Sequence, residues 1–296
     1  MWKWKSILCL ALLVSAGLMG SMRAQDATSA RVRDVIYGRK GGVVLTMDVF
    51  KPAKPSGIGV LWIVSGGWFS AHEGINPGGY KAFLDRGQTV FAVVHGSQPK
   101  YAIPEILQDI ERATRYVRVH AKDYGVDPDR LAIAGASAGG HLSLMQGARG
   151  RDGDPAAKDP VNRASSRVQA VACFFPPTDF LNYGKPGENA LSSETLKAFR
   201  PAFGNRSQEP AELESHARAI SPVTFVTKEM PPTLIIHGDA DLLVPIQQAE
   251  VIMKRLDEVT VPHELVVRKG QAHGWPTLGE DINLLATWFD RHLVRK

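Results

Sequence analysis

Apolar and polar positions follow two different periods along this chain, and the alternation between them predicts its elements. Residues 43–50 step between apolar and polar side chains, the pattern of a strand with one covered face. Residues 58–64, 89–94, 131–134, 168–175 and 233–236 are instead short apolar runs rich in branched side chains, which suit strands buried on both faces. Elsewhere apolar residues recur every three or four positions. Pro104 opens one such stretch, with Ile106, Ile110, Ala113 and Val117 on one face, and Pro245 opens another, with Ile246, Ala249, Met253 and Leu256. Residues 281–293 close the chain with Ile282, Leu285, Trp288, Phe289 and Leu293. Strands and helices in turn predict an α/β architecture: a mostly parallel central sheet with helices on both faces.

Two segments break that rhythm. Residues 150–167, rich in Gly, Asp, Pro and Arg, read as a long polar loop after the helix that starts near Ala138. Residues 179–223 hold scattered prolines and weak helical patches at 194–199 and 209–219. An insertion of that length between core strands is expected to form a cap or lid, with a plain surface excursion as the alternative. No period of twenty to fifty residues recurs.

Composition leaves this picture standing and adds a leader. With 296 residues, 44% hydrophobic and 22% charged, the chain is long enough to bury a sizeable core. Met1-Trp-Lys-Trp-Lys5 is basic, residues 7–20 are almost continuously apolar, and Ser21-Met-Arg-Ala24 follows. That is the build of a secretory signal peptide, too short for a comfortable membrane span. Cleavage is expected after Ala24, leaving residues 25–296 as a secreted or periplasmic domain; an uncleaved anchor is the alternative. Removing residues 1–24 takes Lys3, Lys5 and Arg23 from 35 basic residues and no acid from 30, so the formal charge falls from +5 to +2. Charge therefore gives no reason to expect a nucleic-acid partner. Cys173, in Val171-Ala-Cys-Phe-Phe175, reads as a packed small hydrophobe.

The chemistry centres on Gly135-Ala-Ser-Ala-Gly139. This G-x-S-x-G follows a short apolar strand and precedes a helical pattern, the context of a nucleophile elbow, where tiny flanking residues let strand and helix approach. A serine hydroxyl is a weak nucleophile unless a base takes its proton and an acid orients that base. On such an elbow the partners follow in the order acid, then histidine. Asp241, in His237-Gly-Asp-Ala-Asp-Leu-Leu-Val-Pro245, is the candidate acid, while Asp239 is expected to shape the turn. His273, in a loop of small residues after the strand at 264–267, is the candidate base. His141, His237 and His263 read as structural hydrogen-bonders, and His72 and His95 as possible substrate contacts. The chain lacks H-E-x-x-H, paired cysteines and a phosphate-binding G-x-x-x-x-G-K-[ST] loop, so neither metal nor other cofactor is expected.

Ser137 in G-x-S-x-G, Asp241 in H-G-D-x-D-x-x-V-P and His273 in its small-residue loop resemble the α/β-hydrolase superfamily from about Arg31 to the C-terminus. The resemblance is to the carboxylesterase branch with bacterial feruloyl and acetyl-xylan esterase-like proteins, kynurenine formamidase-like proteins and hormone-sensitive-lipase relatives. That branch carries H-G-G-G-W or H-G-G-x-W after its third strand, and here the register gives Val64-Ser-Gly-Gly-Trp68. The resemblance implies an oxyanion hole from the amides of Gly66 or Gly67 with Ala138, and Trp68 packed at that turn and contacting substrate. It implies a cofactor-free esterase acting on a small-molecule or carbohydrate-linked ester. H-G-D-x-D-x-x-V-P is also similar to prolyl-oligopeptidase-type peptidases, so a serine peptidase is the alternative; a non-catalytic binding protein on the same fold is a further one.

Overall fold

The computed structural model describes residues 30–204 and 209–293; the leader read over residues 1–24 lies outside them. The described strands are β1 (Ala30–Lys40), β2 (Val43–Lys51), β3 (Gly57–Val64), β4 (Thr89–Val94), β5 (Val126–Ala136), β6 (Ala170–Phe174), β7 (Thr233–Gly238) and β8 (His263–Arg268). They form one 8-stranded sheet in the order β1-β2-β4-β3-β5-β6-β7-β8. The β1–β2 and β2–β4 pairs are antiparallel and every other pair is parallel, the mostly parallel sheet that the sequence pattern predicts.

Period-two alternation along the central strands divides the core between two faces. Leu61 and Ile63 of β3 pack in one cluster with helices α1 (Ile103–Val119), α2 (Ala138–Arg149) and α4 (Gln247–Glu258). Ile58, Val60 and Val64 pack in the other, with α5 (Leu278–Leu293). The predicted helical faces are the buried ones: Ile106, Ile110, Ala113 and Val117 on α1, and Ala249, Met253 and Leu256 on α4. Cys173 is wholly buried, and desolvation raises its thiol pKa well above the ordinary value, so it stays protonated.

The periodic pattern does not predict β1. Its pairing with β2 slips between Val32 and Val35 and again between Ile36 and Gly38, so bulges break the alternation that would mark a strand. The loop at 150–167 is polar, as expected, but tied down: Arg118 of α1 donates to the carbonyls of Ser165 and Arg167, and Arg115 to that of Ala164. Among the described residues no helix is long and apolar enough to cross a membrane.

Candidate active site

Ser137 stands at the junction of β5 and α2 with φ 55° and ψ −120°. A non-glycine residue held there costs about 1–3 kcal/mol and persists only where its surroundings over-determine it. Here the Ser137 N–H donates to the Phe174 carbonyl at 3.0 Å, and its own carbonyl accepts from the His141 N–H at 2.9 Å. The flanking glycines are sterically required. A Cβ at Gly139 would lie 2.6 Å from the Ile63 carbonyl oxygen, and one at Gly135 would lie 2.5 Å from the Gly139 carbonyl carbon.

The candidate acid, Asp241, and the candidate base, His273, arrive on the loops after β7 and β8. Asp241 Oδ1 accepts the Leu243 and Val244 N–H groups, each at 2.9 Å, which fixes the carboxylate and leaves Oδ2 for His273. His273 Nδ1 lies 2.6 Å from Asp241 Oδ2, and His273 Nε2 lies 2.9 Å from Ser137 Oγ. A carboxylate accepts only, so Nδ1 carries the proton and Nε2 presents its lone pair to the serine hydroxyl. Burial pushes the Asp241 pKa upward. Hydrogen bonds from His237, His273 and the Val244 amide outweigh it and hold the carboxyl well below the usual range.

The two loops are stapled to each other. Gly238 lets the base loop come close, since a Cβ there would meet the Gln271 carbonyl oxygen at 2.2 Å. The Ala240 N–H donates to that oxygen at 2.9 Å, and the Gly270 N–H donates to Asp239 Oδ1 at 2.5 Å, so Asp239 shapes the turn. Phe175, which the motifs do not reveal, packs its ring 4.4 Å from the His273 ring.

The turn after β3 corrects two expectations. Gly66 and Phe69 exchange N–H···O bonds at 2.9 Å each around Gly67 (φ +54°) and Trp68 (φ +60°), the two-residue hairpin turn with both central residues left-handed. The Gly66 amide is therefore taken, and Gly67 is the member of the pair whose N–H has no partner among the described residues. The Ala138 N–H, in the first turn of α2, has no intrahelical acceptor. Trp68 is the second correction: it is 2% exposed, its indole N–H donates to His141 Nδ1 at 3.1 Å, and its ring packs against Phe180, Phe199 and Phe203. Its neighbour Phe69 is 56% exposed instead.

The turn is held without the leading His-Gly of the motif. Ser70 Oγ donates to the Val64 carbonyl at 2.5 Å and accepts from the His95 N–H at 3.1 Å. The Ser70 N–H donates to Ser97 Oγ at 2.7 Å, and the Gln98 N–H to the Trp68 carbonyl at 3.2 Å. His95 is buried with Nδ1 on the Gly96 carbonyl, and burial lowers its pKa to about 4. His72 bonds Thr46 Oγ1 at 2.8 Å on the antiparallel edge of the sheet, so neither joins the Ser137 group. Asp34, Asp48 and His72 have metal-like spacing, but Asp48 already accepts from Arg31 Nε at 2.8 Å and the Asp34 N–H at 2.9 Å.

The insertion over residues 179–223 is anchored on this site. Its two ends meet where the Val223 N–H donates to the Thr178 carbonyl at 3.2 Å and the Phe180 N–H to Ser221 Oγ at 2.9 Å. Phe180, Phe203, Ala217 and Ile220 share the buried cluster of Trp68, and Tyr183 Oη donates to the Leu243 carbonyl beside Asp241 at 2.7 Å. The patch expected at 209–219 is helix α3 (Pro210–Ala219).

The BD-FAE family model matches residues 47–256, a span that includes Ser137 and Asp241 and stops short of His273. The probable carboxylic ester hydrolase LipM of Mycobacterium tuberculosis is 33% identical over 174 residues, which are 59% of this chain and 38% of that protein. Esterase LipQ of the same organism is 28% identical over 236 residues, 77% of this chain and 53% of that protein. The chain spans about half the length, or less, of these curated relatives. A truncated carbohydrate esterase from gut microbiota is similar in structure, with a TM-score of 0.77 at 26% identity over 92% of this chain and 99% of that one. The Est2 esterase of Thermogutta terrifontis shares the fold, with a TM-score of 0.67 at 24% identity over 89% and 92% of the two chains.

Proposed function

The chain belongs to the BD-FAE family, and on that premise we propose that it is a serine hydrolase cleaving carboxylic esters through an acyl-enzyme intermediate. The observation that carries this reading is the hydrogen-bonded series from Ser137 Oγ through His273 to Asp241. Ser137 Oγ attacks the acyl carbonyl carbon as His273 Nε2 takes its proton, and the imidazolium is stabilised by Asp241. The Gly67 and Ala138 amides receive the negative charge on the carbonyl oxygen, an interaction worth on the order of 10²–10³ in rate per donor. The alcohol departs with the proton from His273. Water, deprotonated by the same nitrogen, then adds to the acyl carbon, and Ser137 leaves with the proton restored.

We assign the ester to a small acyl group on carbohydrate, acetyl or feruloyl. The likeness to the gut carbohydrate esterase supports that assignment, as does a phenyl ring left exposed at Phe69 beside the Gly67 turn. The basic start and apolar run over residues 1–24 support secretion or export to a periplasm, where such substrates are met. The test pairs fluorophosphonate labelling of the parent and Ser137→Ala with a hydrolysis screen. The screen sets p-nitrophenyl acetate, feruloyl esters and acetylated oligosaccharides beside aminoacyl-proline amides. A labelled parent, an unlabelled variant and ester turnover are expected. An unlabelled parent would mean a binding protein, and faster amide turnover would mean a peptidase.

A further inference from the structure

His141 is wholly buried one helical turn beyond Ser137, where a plain hydrocarbon would pack at lower desolvation cost. Its two nitrogens have different partners. The Trp68 indole can only donate, so its N–H at 3.1 Å makes His141 Nδ1 the unprotonated nitrogen. The proton therefore sits on Nε2 and is donated to the Ile220 carbonyl at 2.8 Å. Burial pulls the pKa down to about 4 against that bond to Ile220, so the ring is neutral at physiological pH.

His141 and its two partners belong to three separate parts of the site. Trp68 is half of the left-handed turn that includes Gly67, His141 rides on the helix whose first residue is Ala138, and Ile220 caps α3 at the end of the insertion. The insertion's Phe180 lies with its ring 5.3 Å from that of His141 and 6.0 Å from that of Trp68. The strand leading into the turn abuts the first turn of α2, since a Cβ at Gly139 would lie 3.5 Å from the Ser65 carbonyl oxygen.

We infer that His141 is a positioning residue that couples seating of the insertion to assembly of the oxyanion pocket. The carbonyl of Ile220 holds the proton on Nε2, which keeps Nδ1 an acceptor for Trp68. That bond in turn holds the Trp68 turn, and with it the Gly67 amide, in register with Ala138. The inference rests on the esterase reading above, because only a developing oxyanion gives that register a kinetic consequence.

The test compares His141→Gln, which places an amide near Nε2 and loses the acceptor for Trp68, with His141→Asn, which places an oxygen near Nδ1 and keeps it. Trp68→Phe removes the donor and retains a ring. With p-nitrophenyl acetate and titrated active sites, H141Q and W68F are each expected to lower kcat about 10- to 100-fold with KM within about twofold. Their double variant is expected to lose no more than either alone, because both break one bond. H141N is expected to recover most of the lost kcat and to raise KM about fivefold through its lost contact with the insertion. Where H141Q fails to fold, W68F carries the test alone. Parent-like kcat in W68F, additive losses in the double variant, or equal losses in H141Q and H141N overturn the inference. A parent inert on every ester overturns the esterase reading, and this inference with it.

Discussion

Gly139→Ala tests whether the closeness of β3 and α2 is what builds the elbow. The new Cβ would lie 2.6 Å from the Ile63 carbonyl oxygen, about 0.8 Å inside the 3.4 Å at which ordinary van der Waals contact begins. Neither side yields readily. Ile63 is paired in the sheet with Val93 and Gly135, and the Gly139 carbonyl accepts from Ser143 Oγ at 2.7 Å within the helix. Overpacking of this kind costs about 1–3 kcal/mol, or roughly 2–12 °C in Tm for a domain of this size. If instead the helix start moves by most of that 0.8 Å, Ser137 and the Ala138 amide move with it, and displacement on that scale can lower kcat about 100-fold. The assay is a thermal melt beside active-site-titrated kcat on p-nitrophenyl acetate. A Gly139→Ala protein with the parent's Tm and kcat would show that the strand–helix contact does not position Ser137.

Four further variants have expected outcomes. Gly66→Ala adds a Cβ that meets nothing within 4 Å beside an amide already bonded to Phe69, so Tm and kcat should stay near parental values. Gly67→Ala puts a side chain at φ +54° and 2.5 Å from the Phe199 ring, and should lose about 1 kcal/mol in a thermal melt and lower kcat on p-nitrophenyl acetate with little change in KM, because the displaced amide acts on the developing oxyanion. Asp241→Asn should lower kcat by on the order of 10⁴-fold at neutral pH, because His273 loses the carboxylate that sets its tautomer. The depressed Asp241 pKa gives stability that is complete above the ordinary carboxylate value near 4 and is lost as pH falls toward the folded-state value; a pH series of melts should show this acid-side loss in the parent and not in the variant. Phe175→Leu removes an aromatic contact with His273 worth about 0.5–1.5 kcal/mol, so kcat should fall roughly two- to tenfold; an unchanged value would remove Phe175 from the positioning of the base.

Much of this molecule was decided by signals that lie within a few residues of each other. The apolar runs of the central strands, the faces of α1 and α4, and the tiny residues either side of Ser137 are local, because strand and helix periods and the steric demands of an elbow act over short spans. Chain order then brought Asp241 and His273 forward as partners of Ser137, and the structure joins the three by hydrogen bonds of 2.6 and 2.9 Å. What local pattern could not carry was the identity of partners distant in the chain. Two bulges hid β1, and no residue near Gly-Gly-Trp announces that both central positions turn left-handed. Whether Gly66 or Gly67 keeps a free amide depends on a bond to Phe69, and whether Trp68 faces substrate or core depends on His141, 73 residues away. Ser70, Ser97 and Gln98 stand in for the missing His-Gly only because β3 and β4 are neighbours in the sheet. Sequence alone therefore determined the fold class and the chemistry on offer. The tertiary structure decided which amides remain free and what holds them there, since hydrogen-bond partners are allotted only once the strands, the helix and the insertion have met.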